Sequence, residues 1–396
     1  MDERKLGPDC MKILVAVTYY APYISGLTIY AERIAKAWAD AGHQVTVLTS
    51  QHDSSLPLEE VVEGVKVVRA PILMRISKGG LMPRFWQKTA QLVKESDVVN
   101  IHLPQFDAAW VAHRAHVAGV FSVLTYHCDL QMPSGFVNQI ANRVVLKMND
   151  LAGSYCDAIV AYTKDYAEYS LFLPKFREKV NIIQPPVSLP DVSSSEVEGF
   201  QGKVNPEKKN PIIGMACRFA ADKGVEVLLD ALPKILAVYP NACVFFAGPY
   251  DNVLGERAYY EKLKPRLDEL IAKGQWRFLG SLNPTEMTKF YRTIDLLTMP
   301  SLNRTDSFGL VQIEAMMQGK PCVSANLPGI RVPVTRHEMG EIIEIGNADD
   351  LAEKIIKVLK ENRDYSDKKE TIRSFYQPAV VAEAYEKMFE KYGVNG

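Results

Sequence analysis

The chain has 396 residues, with 46 Lys and Arg against 47 Asp and Glu, for a formal net charge of −1. Hydrophobic residues make up 47% and charged residues 23%, a globular balance over more chain than one ordinary core holds, so two domains are expected. There is no basic surplus to drive nucleic-acid binding, and no apolar run approaches the ~20 residues that span a bilayer.

The opening MDERKLGPDC is charged and lacks the apolar stretch of a signal peptide, and a strand is predicted at once in KILVAVT (12–18). A helix over 26–41 follows, ending at Gly42 as a C-cap. Further strands are predicted at QVTVLTS (44–50), VKVVRA (65–70), DVVNIH (97–102), FSVLTYH (121–127), AIVAYT (158–163) and KVNIIQ (179–184). Val- and Ile-rich runs split by helices imply parallel strands covered on both faces. Residues 185–210 hold proline, serine and charge without periodicity and read as a linker. The pattern then restarts, with strands at 211–218, 242–248, 275–280, 295–300 and 321–325 and a last helix at 378–392. The fold class is therefore α/β: two doubly wound parallel-sheet (Rossmann-like) domains, 11–190 and 205–375, facing each other across a cleft. Ligands in such folds sit beyond the carboxyl ends of the strands.

The six cysteines, Cys10, Cys128, Cys156, Cys217, Cys243 and Cys322, form no CxxC pair. A zinc site is not expected, and a reducing, cytoplasmic setting is.

The loops after strands carry the chemistry. In the first domain Ser25 and Gly26 lead directly into a helix. A glycine there either lets a ligand approach the backbone or serves a plain strand-to-helix turn. In the second domain Arg218 and Lys223 share one strand-to-helix loop. A guanidinium fork and an ammonium aimed at one spot suit a diphosphate, or else are solvated cations with Asp222 as a helix cap. The richest stretch is PSLNRTDSFGLVQIEAMMQGKP (300–321). Its helix, predicted over 308–318, is apolar nearly all round except for Gln312 and Glu314, so it is buried. A buried Glu314 needs donors, and ligand hydroxyls qualify. Asp306 lies eight residues earlier, as ligand contact or N-cap in competition with Ser307. The leading N–H groups of Phe308, Gly309 and Leu310 face any anion there.

The order Arg218, Lys223-Gly224, FLGSL (278–282), an acid, FGLV and Glu314 resembles the retaining glycosyltransferases of family 4, which have the GT-B fold. HQVTVLTS (43–50) and LPGIRVPV (327–334) resemble further parts of that family. The resemblance covers about residues 11–392 and implies a transfer of hexose from a nucleoside-diphosphate sugar to a hydroxyl acceptor. It implies that Arg218 and Lys223 hold the diphosphate, Glu314 binds the ribose hydroxyls and Asp306 faces the sugar. The amides of Gly309, Leu310 and Val311 would meet sugar and phosphate, and Phe278, Leu279 and Leu282 would border the base. His127 matches a histidine near the donor sugar; its plainer reading is a strand-end residue satisfied by backbone. Gly26 would let the first loop approach the phosphates, and the helix at 376–396 would complete the first domain. Two departures stand out: Asp306 replaces the usual glutamate, and Ser25-Gly26 replaces Gly-Gly. The nucleotide sugar is a co-substrate, so neither cofactor nor metal is expected.

Residues 69–94 hold Arg69, Arg75, Lys78, Arg84, Lys88 and Lys94, no acid, and Leu81, Met82, Phe85 and Trp86. Such a helix lies on anionic lipid or packs its apolar side into a core. The first reading brings a lipid or lipid-linked acceptor and peripheral contact with the inner face of the cell membrane. No GxGxxG with a following acid supports an oxidoreductase. A sugar-nucleotide epimerase or hydrolase of the same fold, or a non-catalytic sugar-nucleotide binder, fits the same residues.

Overall fold

The strands form where β-branched residues run without interruption, because a parallel strand covered on both faces has no polar side to present. In the computed structural model, which describes residues 10–76, 79–130 and 136–394, the chain divides into two units: residues to Pro186 together with Tyr376 onward, and Val187–Phe375.

The first unit runs β1 (Lys12–Ala16), α1 (Gly26–Asp40), β2 (Gln44–Gln51), β3 (Glu59–Val62), β4 (Val65–Pro71), β5 (Met74–Ile76), β6 (Gly79–Leu81), α2 (Pro83–Lys94), β7 (Val98–Leu103), α3 (Ala108–Ala118), β8 (Phe121–Tyr126), α4 (Phe136–Tyr155), β9 (Ala158–Ala161), α5 (Lys164–Tyr169) and β10 (Val180–Ile182). Its sheet has the order β10-β9-β8-β7-β1-β2-β4-β3. Its pairs are parallel except β3 with β4. That hairpin was not anticipated. Its turn, Glu63-Gly64, has positive φ at both residues (49° and 84°), the backbone that a two-residue hairpin loop requires.

The second unit holds α6 (Ser194–Val204), β11 (Ile212–Ala216), α7 (Val225–Val238), β12 (Cys243–Ala247), α8 (Arg257–Ala272), β13 (Trp276–Gly280), α9 (Pro284–Thr293), β14 (Leu296–Met299), α10 (Leu310–Met316), β15 (Cys322–Ala325), α11 (Arg331–His337), β16 (Gly340–Ile343), α12 (Ala348–Glu361) and α13 (Lys369–Tyr376). Its parallel sheet, β13-β12-β11-β14-β15-β16, is the doubly wound order in which successive strands run outward from β11 and then from β14 on its other side. The crevice at that reversal is where such sheets receive ligands.

One expectation needs correction. Residues 185–210 are not a bare linker, because α6 occupies their middle. Ser193 and Glu196 close a capping box on it, a start signal that was in the sequence. The helix buries Val197 alone, so its periodicity is faint. The apolar residues of 69–94 divide: Met82 and Phe85 are core residues, Leu81 and Trp86 are half-buried, and Leu73 and Met74 are exposed, while Arg69 is buried in an ion pair with Glu60 at 2.5 Å. Arg84 and Lys94 are exposed, Lys88 pairs with Glu59, and Lys78 lies outside the described residues. Among the described residues no helix is long and apolar enough to cross a membrane.

The last helix, α14 (Pro378–Lys391), belongs to the first unit. Tyr385 carries much of its attachment: its hydroxyl bonds Tyr30 and Thr125, each at 2.8 Å, and its ring meets Trp38 edge-on. Tyr385→Ala should remove a buried ring and leave two hydroxyls short of a partner, costing about 3–5 kcal/mol. Chemical denaturation should show the first unit melting at lower denaturant while the second keeps its transition.

Candidate active site

At the reversal of the second sheet, the loops after β11 and β14 meet. The β11 loop ends in a short 3-10 turn, Ala221–Lys223, and Gly224, which has φ of 71°. A Cβ on Gly224 would lie 2.0 Å from the carbonyl oxygen of Pro300, so only glycine lets the two loops touch. Side chains then tie them together. Lys223 Nζ donates to Asp306 Oδ1 at 2.6 Å and lies 3.1 Å from Asp222 Oδ2. The Thr305 hydroxyl donates to Asp222 Oδ2, and the Ser301 hydroxyl to Asp306 Oδ2. Arg218 reaches Asp222 at 2.8 Å and Glu256, just ahead of α8, at 3.4 Å.

These groups are largely withdrawn from water, with Lys223 and Asp306 each 14% exposed. Burial opposes the charge on Lys223, but Asp306 and Asp222 beside it outweigh that and hold its pKa well above the ordinary lysine value. Burial also opposes the charge on Asp222, and Lys223 and Arg218 still draw it below the usual carboxylate range. Arg218 and Lys223 thus converge as expected, but each is already partnered.

The acidic helix is shorter than 308–318: α10 is Leu310–Met316, with Gly309 at its N-cap. Asp306 and Ser307 therefore do not cap it. Gly309 has φ of 79°, and a Cβ there would meet Met299 Sδ at 2.6 Å. Phe308 is buried ahead of the helix, whereas Gly309, Leu310 and Val311 are half-buried at its start, where the first N–H groups lack partners within the helix. Gln312 donates to the carbonyls of Phe308 and Ile330 and accepts from Ser324, pinning α10 to its surroundings. Glu314, 7% exposed, accepts the Tyr291 hydroxyl at 2.8 Å. Of the proposed base-side residues, Phe278 is half-buried, stacks on Tyr250 at 4.0 Å and touches Phe246 and Trp276. Leu279 and Leu282 are half-buried.

In the first unit, Gly26 opens α1 behind a capping box of Ser25 and Thr28. A Cβ on Gly26 would meet nothing within 4 Å, so internal packing does not demand glycine there. His127 follows β8, and its amide donates to Leu103. Its ring is engaged as well: Nε2 meets His102 Nδ1 at 2.8 Å, and Nδ1 meets the Tyr162 hydroxyl. Burial drives the His102 pKa down to about 3 and holds His127 well below its ordinary value, with His102 adding to the effect. His102, Tyr162, Tyr291 and Glu256 were not singled out from sequence. A histidine closing the 97–102 strand was the available signal for His102. Among the described residues, no group of three or more His, Cys, Asp or Glu is placed to hold a metal ion.

The family model for glycosyl transferases group 1 matches residues 197–375, and that for glycosyltransferase family 4 matches residues 24–189. The chain belongs to the group 1, family 4 glycosyltransferases. Like other members it has the GT-B fold. It is similar to a phosphatidyl-myo-inositol mannosyltransferase of Mycolicibacterium smegmatis, at 23% identity over 89% of this chain and 86% of that one. It is also similar to a D-rhamnosyltransferase of Pseudomonas aeruginosa, at 25% over 78% and 76%. Among solved structures, Anabaena HepE in complex with UDP-glucose superposes with a TM-score of 0.76 at 19% identity, covering 96% of this chain and all of that one. Sucrose-phosphate synthase of Thermosynechococcus elongatus gives 0.76 at 18%, over 97% and 99%.

In this glycosyltransferase Lys223 is a structural counter-ion whatever else it binds. Lys223→Met should leave Asp222 and Asp306 facing each other and cost on the order of 3 kcal/mol at neutral pH. Because the pKa of Asp222 is depressed in the folded chain, the stability that depends on its charge is present above the ordinary carboxylate pKa and lost as pH falls through about 4 and below. The penalty, read from urea unfolding, should therefore be larger at pH 7 than at about pH 3 or below. An equal loss at both would assign it to packing.

Proposed function

We propose that this glycosyltransferase moves a hexose from a nucleoside-diphosphate sugar to a hydroxyl acceptor with retention of configuration. The observation that carries the reading is the convergence of Arg218 and Lys223 at the sheet reversal, with the buried carboxylate of Glu314 on the helix that follows. Arg218 and Lys223 take the diphosphate, one as a fork and the other as a point charge. The amides of Gly309, Leu310 and Val311 add dipoles on the same side. Glu314, steadied by Tyr291, accepts the ribose hydroxyls. Leu279 and Leu282 border the base. Asp306 has both oxygens engaged, by Lys223 and Ser301, so its first task is to hold the lysine; its remaining lone pairs meet the sugar hydroxyls.

The reaction breaks the bond between the anomeric carbon and the phosphate oxygen while the acceptor oxygen bonds to that carbon on the same face. The departing phosphate takes the acceptor's proton. Charge accumulates on the leaving diphosphate, and fixed cations stabilise it without reorganising. A lipid-linked acceptor is supported by the mannosyltransferase relative, whose name carries phosphatidyl-myo-inositol, and by the exposed Arg84 and Lys94 on α2.

The test is calorimetric titration with UDP, GDP and ADP. Arg218→Ala and Glu314→Gln should each weaken the nucleotide that binds by about tenfold or more, since each removes a hydrogen bond to a charged group. Undiminished affinity in both variants would remove the donor from this site. Donor consumption that needs no acceptor would favour a hydrolase or epimerase.

A further inference from the structure

The diphosphate site carries more negative charge than the family reading needs. Arg218 and Lys223 face Asp222, Asp306 and Glu256. Asp222 and Asp306 also accept hydroxyls from Thr305 and Ser301, so they bind the two loops to each other. Glu256 differs. It comes from outside both loops, just ahead of α8. Its carboxylate accepts from Arg218 Nη1 through Oε1 at 3.4 Å and from the Ala221 amide through Oε2 at 3.2 Å. One guanidinium N–H and one loop amide are the pair of donors that a phosphate oxygen would use at a strand-to-helix loop.

We propose that Glu256 is an internal anion that competes with the donor's phosphate for Arg218 and thereby sets donor affinity; this rests on the assignment of the donor site above. The Arg218–Glu256 contact is the longest of the ion pairs around the two cations, so it is the one a phosphate displaces at least cost. Displacement leaves the loops joined, because Lys223, Asp222, Asp306, Thr305 and Ser301 keep their bonds to one another. Glu256 also has somewhere to go. A pocket beside it is lined by Tyr250, Tyr260 and the exposed cation Arg257, and also by the acids Asp251 and Glu261.

The experiment is titration of the full chain, of Glu256→Gln, of Arg218→Ala and of the double variant with UDP, GDP and ADP, with a thermal unfolding curve for each. Glutamine keeps an oxygen for the Ala221 amide, so the loop retains its anchor. Should Glu256→Gln lose its cooperative transition, Glu256→Ala is read in its place. Glu256→Gln should bind the nucleoside diphosphate about two- to fivefold more tightly, the range of a partly exposed ion pair removed from competition. The gain should vanish when Arg218 is alanine. Unchanged or weaker binding in Glu256→Gln, or a gain that survives Arg218→Ala, overturns the proposal and leaves the donor site standing. Failure of the unaltered chain to bind any of the three removes the donor site and this competition with it.

Discussion

Everything at the proposed donor site depends on one buried ion pair, Lys223 with Asp306. A doubly wound sheet opens a crevice where its strand order reverses, but the crevice alone does not fix the two loops that border it. Here a lysine from the first loop crosses to a carboxylate of the second, and Asp222 extends the link to Thr305. Gly224 lets the backbones come close enough for the bridge to form. Charges withdrawn from water in this way cost several kcal/mol each unless they are paired and hydrogen-bonded. Ser301 and Thr305 supply the remaining bonds. The cluster therefore holds its shape while leaving Arg218, the more exposed cation, able to exchange partners.

The same economy governs the neighbouring helix. A short helix that is apolar nearly all round would be silent if it carried no polar residue. Gln312 is satisfied by two carbonyls and a serine, so it serves packing. Glu314, two residues on, accepts a tyrosine hydroxyl from α9. In the first unit the polar cluster of Tyr30, Thr125, Tyr385, His102, His127 and Tyr162 plays the structural part more strongly. It secures α14 and fixes the His127 ring from both nitrogens.

Much of this was legible in the sequence, for identifiable reasons. Buried parallel strands are written as uninterrupted Val and Ile runs, so KILVA and CVFFA could be placed within a residue or two. Glu59–Val62 escaped because an edge strand with one solvated side lacks such a run. The α6 helix escaped because it buries one residue and sits among prolines and serines. Arg218, Lys223, Asp306 and Glu314 stood out because each lies at a fixed place in a strand-loop-helix unit. Their partners did not. Glu256 is 38 residues from Arg218, and Tyr291 is 23 residues from Glu314. No local spacing rule joins residues that the sheet order alone brings together. The sequence also could not show that the ring of Phe278 is taken up by Tyr250, since a half-buried strand end looks the same whether its aromatic faces the core or a ligand.

The most direct measurement is amide hydrogen exchange on the full chain with and without saturating nucleoside diphosphate. The account predicts slowed exchange over residues 218–224 and 305–316, the two loops and the helix they feed, with the rest of the second sheet unchanged. Binding that protects some other segment and leaves these loops exchanging as before would contradict it.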